Sequence, residues 1–187
     1  MRFYEFEAKQ LLEKHRIPLV ESRAVQTADE AAKAASDIGG PVILKAQAIA
    51  PGHAAASVKQ VSDAAGAKAA ATELLGIDDG GRKPRGLLVE ARPAGEAVYS
   101  LSFTYDGTSK RPVVAAADMA GKIDDLGDSH PDRIVRRHFS ALYPFSDYIA
   151  KELAKSLGLG GNDLKRMTRI VSALARLFLK YDLADLD

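Results

Sequence analysis

Charged residues at the ends of apolar runs are the first candidates for chemistry in this sequence. Lys45 lies inside the apolar run 41–47. Glu90 closes a second apolar run, 86–90, and Glu96 follows shortly after it. Burying an unpaired ammonium is costly, so Lys45 either contacts a phosphate as a compact point charge or reaches water from the end of a strand. Glu90 and Glu96 either orient a ribose or a cation, or they are solvated strand ends.

Two further groups of residues are weaker candidates. His53, in the segment Pro51-Gly52-His53, is placed to contact an anion or carry a proton, although a lone loop histidine usually does neither. The run 133–138 contains three arginines and a histidine, a pattern typical of a solvated strand, a subunit contact or a phosphate site. The glycine-rich, zinc-protease and serine-hydrolase signatures are missing from the sequence. Spacing alone therefore predicts a ligand-binding protein and assigns no catalytic residue.

The predicted elements place these candidates on two lobes. A β-α-β-α-β block extends to residue 90, and an antiparallel hairpin and two helices follow a hinge at 90–96. The segment 118–132 is predicted to be rich in loops. The pattern predicts an α+β fold with a cleft near the hinge, where small ligands commonly bind. The predicted strands are 20–25, 41–47, 86–90, 97–105 and 112–117, and the predicted helix caps are Thr27, Ser62, Ser146 and Asn162.

Composition excludes several classes of function. The 187 residues are 47% apolar and 27% charged, close to the globular average. Cysteine does not occur, which excludes disulfides, thiolate metal sites and cysteine nucleophiles. With 26 Lys and Arg against 25 Asp and Glu, no strong field is available for nucleic acid or anionic lipid. The sequence contains no membrane-spanning run, and its acidic start is unlike a signal or transit peptide. We therefore expect a cytoplasmic protein with a small ligand, and neither a nucleic-acid nor a membrane partner.

Several segments taken together carry a family resemblance. The chain resembles the ATP-grasp portion of the β subunit of succinyl-CoA synthetase and of related NDP-forming acid–CoA ligases. The similarity covers nearly the whole chain in order, and its motifs are specific in combination. The matching segments are 4–12 with Ile17-Pro18, 42–47, 87–91, 96–99, 150–159 and 181–187.

The resemblance implies an activity and a domain organisation. Members of this family join a carboxylic acid to coenzyme A with ATP or GTP, and they release a nucleoside diphosphate and phosphate. The reaction passes through an acyl phosphate and a phosphohistidine, which is carried on a CoA-binding α-type partner subunit. The nucleotide is expected between two ATP-grasp lobes, which here would be 19–93 and the combination of 1–18 with 94–187.

The resemblance also implies which residues bind the nucleotide. Lys45 would contact the phosphates, and Glu90 with Glu96 would line the base and ribose end. Relatives carry the loop Gly-Gly-Arg-Gly-Lys-Ala-Gly-Gly where this chain has Pro51–Ser57, of which only Gly52 remains as a nucleotide-binding glycine. A histidine and an alanine replace the two cations of that loop. Losing two charge-assisted contacts predicts weaker nucleotide binding.

Magnesium and the catalytic residues are expected elsewhere. The resemblance places the Mg²⁺ ligands after Asp187, so no residue of this sequence is assigned to a metal. Two alternatives to the ligase interpretation stay open. One is a degenerate ATP-grasp pseudo-enzyme or subunit-interaction module that binds no nucleotide, and the other is a carboxylate–amine ligase of the same fold.

Overall fold

The chain divides into two compact units, each with its own sheet. The structure, a computed structural model, describes residues 3–48, 58–78, 83–95 and 97–187. Backbone contacts define a first unit, Met1–Ala94, and a second unit, Gly95–Asp187. Each contains helices and a four-stranded antiparallel sheet, which confirms the predicted α+β class. The finer division into lobes 19–93 and 1–18 with 94–187 stays a prediction. In the described part of the chain, no helix is both long and apolar enough to cross a membrane.

The first unit builds its sheet from strands that are not consecutive in sequence. The strand order is β1-β4-β2-β3, so β4 lies between β1 and β2. Every neighbouring pair is antiparallel. The elements of this unit are α1 (Glu5–Lys14), β1 (Ser22–Val25), α2 (Ala28–Ile38), β2 (Val42–Ala46), β3 (Val58–Val61), α3 (Ala64–Leu75) and β4 (Leu87–Ala91).

Local capping determines where α2 and α3 begin. Thr27 Oγ1 accepts a hydrogen bond from the amide of Glu30 at 3.2 Å, and the Glu30 carboxylate accepts from the amide of Thr27, which confirms the predicted capping box. The predicted cap of α3 at Ser62 is wrong. Asp63 caps this helix, because its Oδ1 accepts from the amide of Gly66 at 2.7 Å.

Alanines dominate the helical side of the first core. The two helices pack against each other and against one face of the sheet. Small side chains allow close approach of the helix axes, since the interaxial distance depends on the side chains at the contact. The buried residues of this core include Ala31, Ala34, Ala35, Ala67, Ala70, Ala71 and Leu74 of the helices, and Val25, Val42, Leu44, Leu87 and Val89 of the strands.

The second unit has the strand order β7-β6-β5-β8. The predicted hairpin is confirmed as β5 and β6, but the prediction of loops at 118–132 is wrong over α4, whose Ile123 and Leu126 are buried. The predicted cap at Asn162 is also wrong, because the N-cap of α6 is Gly160, two residues earlier. The elements are β5 (Ser100–Asp106), β6 (Arg111–Ala117), α4 (Ile123–Ser129), a 3₁₀ turn (Pro131–Arg133), β7 (Ile134–His138), α5 (Asp147–Ser156), α6 (Gly161–Lys180) and β8 (Asp185–Leu186).

Aromatic side chains form much of the second core. Phe103 of β5 and Phe178 of α6 are fully buried, with ring centroids 5.9 Å apart. Phe139 meets both of them edge-on, a favourable arrangement for aromatic quadrupoles. The other face of the sheet packs on α4 through Ala115 and Ala117. The second sheet is therefore covered by helices on both faces.

Candidate functional site

Strand register brings two of the predicted site residues to the same face of the first sheet. On β2 and β4, Lys45 is paired with Leu88, and Ile43 is paired with Glu90. Side chains alternate along a strand and paired residues point to the same side. Lys45 and Glu90 are therefore neighbours on one face, whereas Leu44 points to the opposite face and into the core. Their part in binding a nucleotide stays a prediction.

Helix α1 completes a group of four charged side chains, here called the Lys45 cluster: Glu5, Lys9, Lys45 and Glu90. Lys45 Nζ donates to Glu5 Oε1 at 2.7 Å and lies 2.9 Å from Glu90 Oε2, outside full hydrogen-bonding geometry. Lys9 Nζ donates to Glu90 Oε1 at 2.7 Å. Glu5 and Lys9 are separated by four residues, so they lie on the same face of α1. The cluster thus links the helix to the sheet by ion pairs.

A buried glutamine supports the same junction. Gln47 follows β2 and is 3% exposed. Its Oε1 accepts from the amide of Phe6 in the first turn of α1 at 3.2 Å, and its Nε2 donates to the carbonyl of Lys45 at 3.2 Å. An amide at a helix start has no partner inside the helix, so the side chain of Gln47 supplies one.

Burial and pairing act in opposite directions on the charges of the cluster. Burial disfavours the charged form of Lys45, but its close contacts with the carboxylates of Glu5 and Glu90 outweigh this effect and raise the pKa of Lys45 above its ordinary 10.5. Burial likewise disfavours the Glu90 carboxylate, but Lys9 and Lys45 outweigh this effect and lower the pKa of Glu90 below 4.5. Both groups are therefore charged at neutral pH.

Solvent reaches the cluster from the side of Lys45 and Glu5. These side chains are 29% and 39% exposed, whereas Lys9 and Glu90 are 13% and 10% exposed. An ammonium has three donors and no acceptor. Lys45 can therefore contact an anionic ligand from solvent while Glu90 stays buried behind it.

The remaining predicted site residues either lie outside the described residues or make contacts within the second unit. Gly52 and Glu96, with the whole segment Pro51–Ser57 and its His53, lie outside the described residues. In the basic run, Arg133 pairs with Asp118, and His138 Nε2 lies 2.8 Å from an Asp106 oxygen. These contacts lie within the second unit, and the three interpretations of the run stay open.

The described residues around the Lys45 cluster offer no metal-binding group. Among the residues that the structure describes, no group of three or more His, Asp and Glu side chains could hold a metal ion. A cavity of about 550 Å³ lies between α1 and β1, and Lys9 is the member of the Lys45 cluster that lines it. The cluster itself lies at the surface.

Sequence reasoning did not assign Glu5 and Lys9 to the site. Both residues lie in the segment 4–12, which carries part of the family resemblance. The helical spacing places them off the apolar face of the first helix and assigns them no further role. A usable signal was present, because Glu followed by Lys four residues later is a favourable pair on a helix surface. In the structure, however, the two side chains contact the sheet instead of each other.

The family assignment follows from comparison with known proteins. A family model described as the ATP-grasp domain matches residues 2–187. The chain therefore belongs to the ATP-grasp family, as the resemblance predicted.

Similar curated proteins include ADP-forming succinate–CoA ligase beta subunits. The chain is 34% identical over 197 aligned residues to the ADP-forming succinate–CoA ligase subunit beta of Pseudomonas aeruginosa, covering 100% of this chain and 51% of that protein. It is 29% identical to the protein of the same name from Methanothermobacter thermautotrophicus, covering 97% of this chain and 50% of that protein. The chain thus spans about half the length of the curated relatives it matches.

Solved structures share the fold at low identity. The Ca. Korarchaeum cryptofilum dinucleotide-forming acetyl-coenzyme A synthetase 1, solved with coenzyme A, Ca-AMPCP and HgCl⁺, gives a TM-score of 0.78 at 18% identity. That match covers 98% of this chain and 83% of the other. PH1788 from Pyrococcus horikoshii gives 0.75 at 20% identity, covering 98% and 80%.

Proposed function

We propose that this chain is the nucleotide-binding ATP-grasp segment of an acid–CoA ligase. The complete enzyme would form an acyl-CoA from a carboxylic acid, coenzyme A and ATP or GTP, with release of a nucleoside diphosphate and phosphate. The observation that carries the proposal is the ATP-grasp match over residues 2–187, together with relatives named as succinate–CoA ligase beta subunits.

Lys45 and Glu90 have complementary parts in this proposal. Phosphoryl transfer depends mainly on cations and donors placed around negative charge that spreads over the phosphate oxygens. The partly exposed ammonium of Lys45 would contact those oxygens. Glu90, buried and paired with Lys9, would hold Lys45 from behind and line the base and ribose end with Glu96. Gly52 would contribute a backbone contact to the phosphates.

The proposal extends to partners that lie outside this chain. A CoA-binding α-type subunit would carry the phosphohistidine, and Mg²⁺ would accompany the nucleotide. No group of three or more acidic or histidine side chains among the described residues could hold the ion, and no residue of this chain is proposed as its ligand. With succinate as the acid, the enzyme would serve the tricarboxylic acid cycle in the cytoplasm.

Calorimetry with Mg-ATP and with Mg-GTP tests the central claim. We expect the wild-type chain to bind one of them and Lys45→Ala to bind at least about tenfold more weakly, since a charged contact contributes about 1.5–3 kcal/mol. Lys33→Ala removes an exposed lysine of α2 in the same unit and is the matched control. Equal binding by wild type and Lys45→Ala would remove Lys45 from the site. A wild-type chain without any thermal shift in millimolar nucleotide would favour the interaction-module alternative.

A further inference from the structure

Of the two carboxylates in the Lys45 cluster, Glu5 can separate from Lys45 more easily. Its side chain is 39% exposed, whereas Glu90 is 10% exposed and is also held by Lys9 at 2.7 Å. Glu5 begins α1, whose ten residues are all described and none of them buried. A carboxylate there regains water when it swings outward, and the positive end of the helix still favours it. An anion arriving at Lys45 would therefore displace Glu5 and leave Glu90 in place.

Displacement of Glu5 changes the net charge of the cluster. Two ammonium groups and two carboxylates make the cluster neutral as it stands. A polyphosphate approaching Lys45 thus meets repulsion from Glu5 that offsets part of the attraction. After Glu5 has moved away, Lys9, Lys45 and Glu90 leave one net positive charge beside the ligand.

We propose that Glu5 competes with the nucleotide polyphosphate for Lys45, and that its displacement loosens the first turn of α1 from the sheet. The inference rests on the proposed function, because it requires a polyphosphate at Lys45. The first turn is tied to the sheet side by the Glu5–Lys45 ion pair and by the Phe6 amide on Gln47. Losing the ion pair removes one of these ties, while Lys9 keeps its contact with Glu90 one turn further along the helix. Glu5 is thus a positioning residue that couples ligand occupancy to α1.

Binding measurements on Glu5→Gln test the competition directly. The amide keeps the size of the side chain and an acceptor oxygen but removes the negative charge. We expect Glu5→Gln to bind both Mg-ATP and inorganic tripolyphosphate about two- to fivefold more tightly than wild type, the size expected for a partly exposed charge pair. Glu13→Gln makes the same charge change at an exposed position of the same helix and is expected to bind as wild type does. A tighter complex is a result that structural damage alone does not produce.

Hydrogen–deuterium exchange of the segment 3–16 tests the coupling to the helix. Tripolyphosphate should raise exchange there in wild type, and Glu5→Gln should show raised exchange before any ligand is added. Unchanged affinity in Glu5→Gln, or failure of both proteins to bind tripolyphosphate, overturns the competition. Exchange in 3–16 that is insensitive to bound ligand overturns the coupling. Binding of tripolyphosphate without binding of either nucleotide overturns only the proposed function.

Discussion

Replacing Lys9 with methionine tests how strongly the Lys45 cluster stabilises the first unit. Lys9 Nζ lies 2.7 Å from Glu90 Oε1, and the two side chains are only 13% and 10% exposed. Removing one partner of a buried pair costs about 3–5 kcal/mol. Glu90 keeps its second cation, since Lys45 Nζ lies 2.9 Å from Oε2. We therefore expect a loss of about 2 kcal/mol in the free energy of unfolding, below the range for an isolated pair.

The pH dependence of this loss distinguishes a charge effect from a packing effect. The pKa of folded Glu90 is below its ordinary 4.5, so the stability from its ionised form is fully present above pH 4.5 and is lost as the pH falls through the folded value. Lys9→Met raises the folded pKa toward 4.5. The difference in unfolding free energy between wild type and Lys9→Met should therefore be constant near neutral pH and shrink below pH 4.5. Loss of the aliphatic contacts of Lys9 alone would not vary with pH in this way.

Native-state hydrogen exchange in low urea is the suitable assay, because the chain has two units and exchange reports on each of them. The amides of β4 (Leu87–Ala91) report on the first sheet next to Glu90. Lys14→Met removes the same charge from an exposed position of α1 and should change stability by no more than about 0.5 kcal/mol. Equal protection of β4 in wild type and Lys9→Met, or a difference that is the same at pH 3.5 and pH 7, would refute the reasoning.

Two further predictions concern single sites in each unit. In Gly86→Ala, the new Cβ would lie 2.7 Å from the carbonyl oxygen of Val25, so urea unfolding should show a loss of about 1–3 kcal/mol from local overpacking. In the second unit, hydrogen bonds from Ser109, a backbone amide and His138 hold the pKa of Asp106 well below its usual 3.8. His138→Ala should raise that pKa toward 3.8 in a carboxyl NMR titration, so that the stabilisation by ionised Asp106, present above pH 3.8, is lost at a higher pH than in wild type. An unchanged titration would contradict the assigned contact.

The elements that sequence reasoning predicted are those with strong local signals. The capping box at Thr27 and the turn between β5 and β6 are both determined by residues a few positions apart. Strand β3 (Val58–Val61) was not predicted, because its sequence Val-Lys-Gln-Val neither alternates apolar with polar residues nor buries a side chain, and it forms a strand only by pairing with β2. Helix α4 was missed for a related reason. It is only seven residues long, and its two buried residues gain their environment from the second sheet.

The candidate site could be predicted residue by residue but not as an arrangement. The cost of burying an ammonium made Lys45 a candidate, and Glu90 became one as a carboxylate that closes an apolar strand next to the hinge. Their contact depends on the antiparallel register of β2 against β4, which are separated by β3 and α3 along the chain. Neither periodicity nor capping reports such long-range pairing. The roles of Glu5 and Lys9 depend on where α1 lies against that sheet, which is a further tertiary effect.

The neutral charge of the Lys45 cluster and the sequence of the loop Pro51–Ser57 both reduce the positive charge available to a triphosphate. The family resemblance implies an arginine and a lysine in this loop, whereas the segment Pro51–Ser57 of this chain contains neither. Lys45 would then supply a larger share of the attraction, and the same Glu5 carboxylate would offset a larger fraction of it. Neutralising Glu5 should therefore change nucleotide affinity more in this chain than the equivalent change does in a relative that keeps the two loop cations. Affinity here would depend on α1 as much as on the strand that carries the lysine.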